Sequence, residues 1–544
     1  MAAMEKPVTE DWDYIVVGSG SAGSVIAARL SECGRHRVLL LEAGGPDHLF
    51  WMRAPLGTGQ MLRREDVIWQ YETEPNPELR GRRLRWPRGK TLGGSSSVNG
   101  TLFVRGDHWH YDDWAARGAT GWAFDDLLPY FKKFESFAGG DPHWRGRNGP
   151  ISVERLNARL PVSEAFVEAC RQTGLPENED YNAAECYGAS FLQYNTKFGR
   201  RQSAAVGYLR PAKGRANLKI VTDAMVTQIN VSGNRADGVS YSIGGVAHTA
   251  RAGREVIISA GSIGTPHLLE LSGIGNPDIL RRHGIAPRVV LPGVGENLID
   301  HLQTRVSFEA RNTRGLNEII RRPLYKYWIG AQFLFFGKGL MTTPLATAQA
   351  VVRSSPHLLR PDLKVQLHHF SGKDRMAYSK ELGIDPHPGL TFGVVQLSPQ
   401  SRGSLHLSGP SSDAPPSIRP NQLSHPEDVR VLTAGLRLAR QVASQPALSD
   451  YIVKELRPGP DAVSDHELVE YIRDSGQTSY HPIGTCRMGI DSQAVVDPQL
   501  KVHGIERLRV ADASIMPTMP ASNTNAACLM IGEKAAAMIL ADAR

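Results

Sequence analysis

Five cysteines among 544 residues, none in a C-x-x-C pair, leave no material for a disulfide framework or a structural zinc site. No apolar run reaches the ~18 residues a membrane-spanning helix needs. Charge is not gathered by sign: the net +7 is spread along the chain, and nucleic-acid binding, which needs a basic face or a known motif, is set aside. The N-terminal MAAMEKPVTEDWD is polar and lacks the apolar core of a signal peptide, so a reducing, cytoplasmic location is expected. Aromatic residues are only 7% of the chain, yet they crowd into PLYKYWIGAQFLFFGKGLM at 323–341. That segment is aromatic and basic enough for peripheral contact with a membrane surface. An element covering a substrate cavity is the preferred reading of it.

Glycine is what the chain has in excess, 54 of 544 residues, above the usual ~7%. The length calls for two domains or one large domain with an insertion. The first glycine cluster follows a short apolar run, DYIVV at 13–17, as GSGSAG, with Gly18, Gly20 and Gly23 in G-x-G-x-x-G spacing. SVIAARLSEC then has helical apolar spacing, and a second strand, RVLLLEAG, carries Glu42. The first glycine makes the turn, the second admits a pyrophosphate to the backbone and the third lets helix and strand pack closely. The phosphates sit at the positive helix end, and Glu42 accepts hydrogen bonds from a ribose diol. A carboxylate there disfavours a 2′-phosphate, which leaves FAD or NAD.

Four further stretches are informative: WPRGKTLGGSSSVNGTLFVRG at 86–106, GSIGTPHLLELSGIG at 261–275, TSYHPIGTCRMG at 478–489, and LRVADASIMPTMPASNTNAACLMIGEKAA near the C-terminus. The 86–106 block offers unhindered N–H groups and hydroxyls for a second contact line along an extended cofactor. On the motif alone His481 reads as a metal ligand with Cys486, a buried structural histidine, or a proton acceptor.

Together with GSGSAG and Glu42, these blocks resemble the glucose-methanol-choline family of FAD-dependent oxidoreductases over nearly the whole chain. The pattern looks most like its bacterial branch of alcohol, choline, L-sorbose and polyethylene glycol dehydrogenases. The resemblance implies an α/β fold: a discontinuous Rossmann-like FAD domain (10–155, 200–310, 475–544) and a substrate domain (156–199, 311–474). The strand-like LKVQLHHF, LTFGVVQLS and GSLHLSG suit an antiparallel sheet roofing the active site.

The resemblance further implies oxidation of a small-molecule alcohol, primary or secondary, with a quinone or dye as electron acceptor. An oxygen-using alcohol oxidase is the nearest alternative. A cyanohydrin-cleaving lyase with idle FAD and an NAD-linked dehydrogenase are more distant ones. His481 becomes the base that takes the hydroxyl proton, help typically worth about 10²–10⁴-fold, and Asn523 the residue that orients the substrate oxygen. The implied FAD contacts in the first unit are Gly18, Ser19, Gly20, Ala22, Gly23, Glu42 and Ala43. Trp69 follows, with Thr91, Gly94, Asn99 and Gly100 in the second glycine block. Val226, Tyr480, Asp512, Ala513 and Asn525 complete the set.

Where some relatives carry a histidine bonded covalently to FAD, this chain has Val98, so non-covalent FAD is expected. Where choline-specific relatives carry a glutamate for the quaternary ammonium, the alignment puts Thr347, so a neutral alcohol is preferred. Val98, Thr347 and His368 are the expected substrate-pocket residues. PGVGENLIDH at 292–301 is read as a packing turn, with no role for His301.

Overall fold

A computed structural model describes residues 9–156, 160–373, 383–521 and 523–543. Two seven-stranded sheets divide the work. In the first, Leu218–Val221, Val38–Leu41, Thr9–Val17 and the C-terminal half of Val246–Ile258 run parallel, and Leu508–Val510 joins that last strand, also in parallel. The N-terminal half of Val246–Ile258 turns back through the antiparallel Arg235–Ile243 and Ala224–Ser232. Parallel strands must be buried on both faces, and all four residues of Val38–Leu41 are.

The helix Ser21–Ser31 lies between this sheet and the C-terminal helix Asn525–Asp542, within one continuous core. Its burial is therefore nearly all-round, and the charge it carries is matched. Glu533, wholly buried, receives Arg29 at 2.8 Å, Lys133 at 2.8 Å and the Tyr208 hydroxyl at 2.6 Å. The turn before the helix needs its glycines. Gly18 has φ +93°, and a Cβ on Gly23 would lie 1.9 Å from the Gly18 carbonyl oxygen.

The second sheet is antiparallel, in the order Ile452–Arg457, Leu302–Ala310, Gly389–Gln396, Leu363–His368, Ala346–Val352, Gly188–Phe191, with Gln477–Thr478 paired to Leu302–Ala310. Its strands have the period-2 division of a sheet covered on one face. Leu363, Val365 and Leu367 enter a core with Leu432 and Leu436 of the helix Pro426–Ala443, whereas Lys364, Gln366 and His368 face the other way, into a cavity.

The sheet departs from expectation at two places. Leu302–Ala310, expected to close the FAD domain at residue 310, lies inside this sheet because its alternate residues Val306 and Phe308 belong to the second core. Ser404–His406 pairs instead with Ser417–Arg419 as a separate ribbon.

Candidate active site

Between the two sheets lies a cavity of 980 Å³ whose walls join residues 500 positions apart in sequence. One end is the glycine turn: Gly18, Gly20, Ala22, Glu42 and Ala43 line it, with Val226, Asp512 and Ala513 alongside. Gly94, Val98, Asn99, Gly100, Trp69, Tyr480 and Asn525 line the middle. A Cβ on Gly20 would meet only Ser259 O, at 3.9 Å, so the backbone there is open to a ligand at the start of an eleven-residue helix.

Glu42 is buried, and its carboxylate accepts from Ser19 N at 2.9 Å, the Ser19 hydroxyl at 2.6 Å and Gly44 N at 2.9 Å. Burial pushes its carboxyl up, and these bonds pull against that. Asp512 is held likewise by Gly261 N at 2.8 Å, the Thr265 hydroxyl at 2.6 Å and Ser514 N at 2.8 Å. This long groove, with two anchored carboxylates and an open helix start, fits an extended adenine dinucleotide.

Three of the residues expected to contact the cofactor stand behind the cavity wall. Ser19, Gly23 and Thr91 do not line the cavity. Ser19 braces Glu42, Gly23 lets the helix meet the Gly18 carbonyl, and the Thr91 hydroxyl donates to Gly45 O at 2.9 Å, joining the two glycine blocks.

Toward the roof sheet, His481 and Asn523 come together: the Asn523 amide Nδ2 lies 3.1 Å from His481 Nε2. Tyr480, the residue before His481, has φ +65°, a left-handed conformation that a bulky residue adopts only when its surroundings impose it. They do so here. Tyr480 N–H donates to the Thr478 hydroxyl at 2.8 Å, and the half-buried Arg88 donates through its guanidinium to Tyr480 O at 2.8 Å. The His481 N–H donates to Asp300 Oδ1 at 2.8 Å, while Thr478 and Gln422 donate to Asp300 Oδ2. Burial raises the Asp300 carboxyl to about 6 against those donors.

His301, given no role from sequence, sits directly behind the imidazole. Its Nδ1 is 3.1 Å from His481 Nδ1, and its Nε2 is 3.2 Å from Leu397 O. A carbonyl oxygen can only accept, so the His301 proton is on Nε2. Burial, helped by the Lys364 charge, lowers His301 to about 3, so the ring stays neutral and its Nδ1 is an acceptor. His481 must then carry its proton on Nδ1, and its Nε2 lone pair points to Asn523 and the cavity. The tautomer a base needs is thus set by a main-chain carbonyl, relayed through one histidine. Lys364 completes the arrangement, its ammonium 3.4 Å from Asn523 Oδ1, which turns the amide N–H toward His481.

Replacing His301 with leucine keeps the volume and removes the acceptor. Activity is expected to fall by about 10- to 100-fold, the scale on which losing the partner that orients an active-site histidine acts. A His301→Gln variant, which restores an acceptor, should recover part of it. Steady-state kinetics on both proteins checks this.

Of the expected substrate-pocket residues, Val98 and His368 line the cavity. Thr347 does not. It is wholly buried, with its hydroxyl 2.7 Å from that of Ser163 and 2.8 Å from His369 Nε2. Strand alternation turns it away, leaving Ala346 at the cavity wall. Cys486 is buried in the first core, bonded through its N–H to Ser514 O, and is not on the cavity wall with His481.

Family models described as GMC oxidoreductase match residues 12–303 and 399–532. The chain belongs to the GMC oxidoreductase family. Oxygen-dependent choline dehydrogenase of Rhizobium rhizogenes is 40% identical over 539 residues, 98% of this chain and 96% of that one. The enzyme of the same description from Vibrio vulnificus is 38% identical over 535 residues, 98% and 94% of the two chains. Among solved structures, pyridoxine 4-oxidase from Mesorbium loti superposes with a TM-score of 0.87 at 30% identity, covering 97% of this chain and 98% of that one. Formate oxidase of Aspergillus oryzae gives 0.92 at 27% identity, covering 99% of each.

This GMC oxidoreductase is an FAD-dependent enzyme acting on alcohols. The groove built above, with the anchored Glu42 and Asp512 and the glycine turn, fits that cofactor. Among the described residues, no helix is long and apolar enough to cross a membrane. Sequence reasoning missed Asp300, His301, Arg88 and Lys364 in this site. The signal for Lys364 was available: K-Q-H at 364, 366 and 368 is a polar face in an otherwise apolar strand.

Proposed function

We propose that the enzyme oxidises a neutral primary or secondary alcohol to its carbonyl compound, with His481 taking the hydroxyl proton. The observation that carries this reading is the His301–His481–Asn523 chain of contacts, which leaves His481 Nε2 as an acceptor beside an amide donor. An alkoxide expels hydride far more readily than an alcohol does, so a base at the hydroxyl is what the reaction needs. FAD, when bound in the groove lined by Gly18, Glu42 and Asp512, would supply the two-electron acceptor for the substrate's hydride. Asn523 donates to the substrate oxygen as its negative charge grows, and the Lys364 ammonium on the far side of the amide strengthens that donor.

Choline is disfavoured as the substrate, although the curated relatives are named for it. A quaternary ammonium calls for a carboxylate at close range. Thr347 supplies none, and the carboxylates among the described lining residues are Glu42 and Asp512, both engaged by backbone and hydroxyl donors, and the exposed Asp413. The substrate-side wall presents Arg305 and Lys364 instead. We favour a quinone or dye over oxygen as acceptor, with the names of the structural neighbours supporting the oxidase alternative.

The test is anaerobic mixing of the yellow enzyme with neutral primary alcohols, polyols and choline. Flavin bleaching by a neutral alcohol, with choline much slower, supports the reading. Choline as the fastest substrate overturns the specificity, and no bleaching by any alcohol favours the lyase. Admitting air afterwards separates an oxidase from a dehydrogenase by the speed of recolouring.

Val98, 3% exposed and packed with Met52, Met61 and Ile68, offers no nucleophile to the flavin. Acid precipitation of the holoenzyme is expected to leave the yellow cofactor in the supernatant, read by absorbance. Colour retained in the pellet would mean a covalent link.

A further inference from the structure

We propose that the helix Pro323–Phe336, with two short segments beside it, is a docking surface for an anionic lipid bilayer. The helix is apolar on both faces. Ile329 and Phe333 point inward and pack with Ala54, Ile319 and Met341. Leu324, Tyr327, Trp328 and Phe335 follow i, i+3, i+4, i+11 spacing on the opposite face and are 86%, 78%, 60% and 78% exposed. Leu334 and Phe336, at 52% and 71%, widen the patch.

Neighbouring elements extend it. Phe198 is 74% exposed, and its carbonyl oxygen lies against Gly337 at the helix end. The Phe50 ring is 6.0 Å from that of Phe333, with Phe50 and Trp51 each 39% exposed. Single exposed apolar side chains are ordinary on a soluble protein, whereas a contiguous set of this size marks an interaction site.

The charge around the patch selects the partner. Arg321, Arg322, Lys326 and Lys338 are exposed at the two ends and along the helix. Arg53, Lys197 and Arg200 share a small cavity with Phe198, and Arg200 reaches the helix at Leu334 O. From residue 319 to 361 the sequence has no Asp or Glu. The carboxylates beside it are engaged: Glu154 by Phe198 N, Gly199 N and the Thr196 hydroxyl, Asp47 of the small cavity by Arg210 at 2.8 Å, and Glu318 by Gly315 N at 2.8 Å.

Trp, Phe, Tyr and Leu on one face with Lys and Arg at the margins is the pattern of a helix lying in a membrane interface. A second copy of the chain is a poorer occupant, because packing this face on itself would set the same cations against one another. The helix is also a wall of the catalytic cavity, through Lys326 and Ile329. Docking would set that wall in the bilayer interface, where an apolar alcohol or a lipid-borne acceptor is concentrated. The proposal stands apart from the choice of alcohol, since binding is measured without turnover.

The test is flotation of the full-length, FAD-loaded protein with vesicles of phosphatidylcholine and phosphatidylglycerol, against phosphatidylcholine alone, at low and high salt. The wild-type protein should co-float with the anionic vesicles, less so at high salt. Phe335→Glu/Phe336→Glu should weaken partition by about tenfold or more, and Arg322→Glu/Lys338→Glu should remove the preference for anionic lipid. Both variants should keep their flavin absorbance and their turnover of a water-soluble alcohol.

Brominated lipid should quench Trp328 emission, read as the difference from a Trp328→Phe variant. Absence of wild-type flotation and of quenching overturns the proposal, as does flotation that both double variants retain. A concentration-dependent dimer abolished by Phe335→Glu/Phe336→Glu, without vesicle binding, also overturns it and assigns the face to a second copy.

Discussion

Replacing His481 with alanine is expected to lower kcat by about 10²- to 10⁴-fold, the range over which a positioned general base acts. The yellow holoenzyme should still form, because the glycine turn, Glu42 and Asp512 are untouched by the substitution. The expected loss is large because everything around His481 serves its basicity. Leu397 O fixes the His301 proton, His301 fixes the His481 proton, and the remaining Nε2 lone pair meets the Asn523 amide at the cavity wall. The backbone is equally committed, with Tyr480 left-handed and its neighbours tied to Asp300, Thr478 and Arg88. An alanine leaves the alkoxide to form by loss of its proton to water, so the residual activity should climb with pH. Single-turnover flavin bleaching measures the step directly. A residual rate within a few-fold of wild type would remove His481 from the chemistry.

Asn523→Ala should cost about 2.7–4 kcal/mol of transition-state stabilisation, roughly 10²- to 10³-fold in kcat, the range found for losing one preorganised donor to a developing oxyanion. Asn523→Asp is the sharper variant: it keeps the shape and the acceptor for Lys364 but removes the N–H that faces His481 and the substrate oxygen. If donation is what matters, aspartate should fail as badly as alanine. If the side chain only fills space, aspartate should be nearly wild type. Because His481 and Asn523 act on the same oxygen, the double variant should lose little more than His481→Ala alone, as groups acting as a unit do. Full additivity would mean two separate roles.

Much of this site was legible in the sequence where a backbone requirement leaves a residue signature. The strand–glycine–helix–strand–Glu42 order read correctly because each glycine answers a steric need, seen at Gly18 and Gly23. His481 and Asn523 were legible through the motifs around them, and the structure brings them within 3.1 Å. What was not legible depends on long-range pairing.

His301 is 180 residues from His481 and meets it only because Leu302–Ala310 pairs with Gln477–Thr478. In the sequence its loop looks like any glycine turn. Thr347 failed for a related reason. A one-residue difference in strand register exchanges the buried face for the cavity face, and alignment through a segment without a motif of its own does not fix that parity. The boundary at 310 erred because a strand at the edge of one domain by sequence is central in the other by pairing.

The most direct measurement is the anaerobic rate of flavin bleaching by a saturating alcohol, followed by stopped flow across pH in the wild type and in His481→Ala. With His481 as the proton acceptor, the wild-type rate rises with pH through a single ionisation to a plateau, where the imidazole is neutral. The variant is slower throughout and rises in proportion to hydroxide with no plateau. The same plateau at the same pH in both proteins would place the proton acceptor elsewhere and contradict the account.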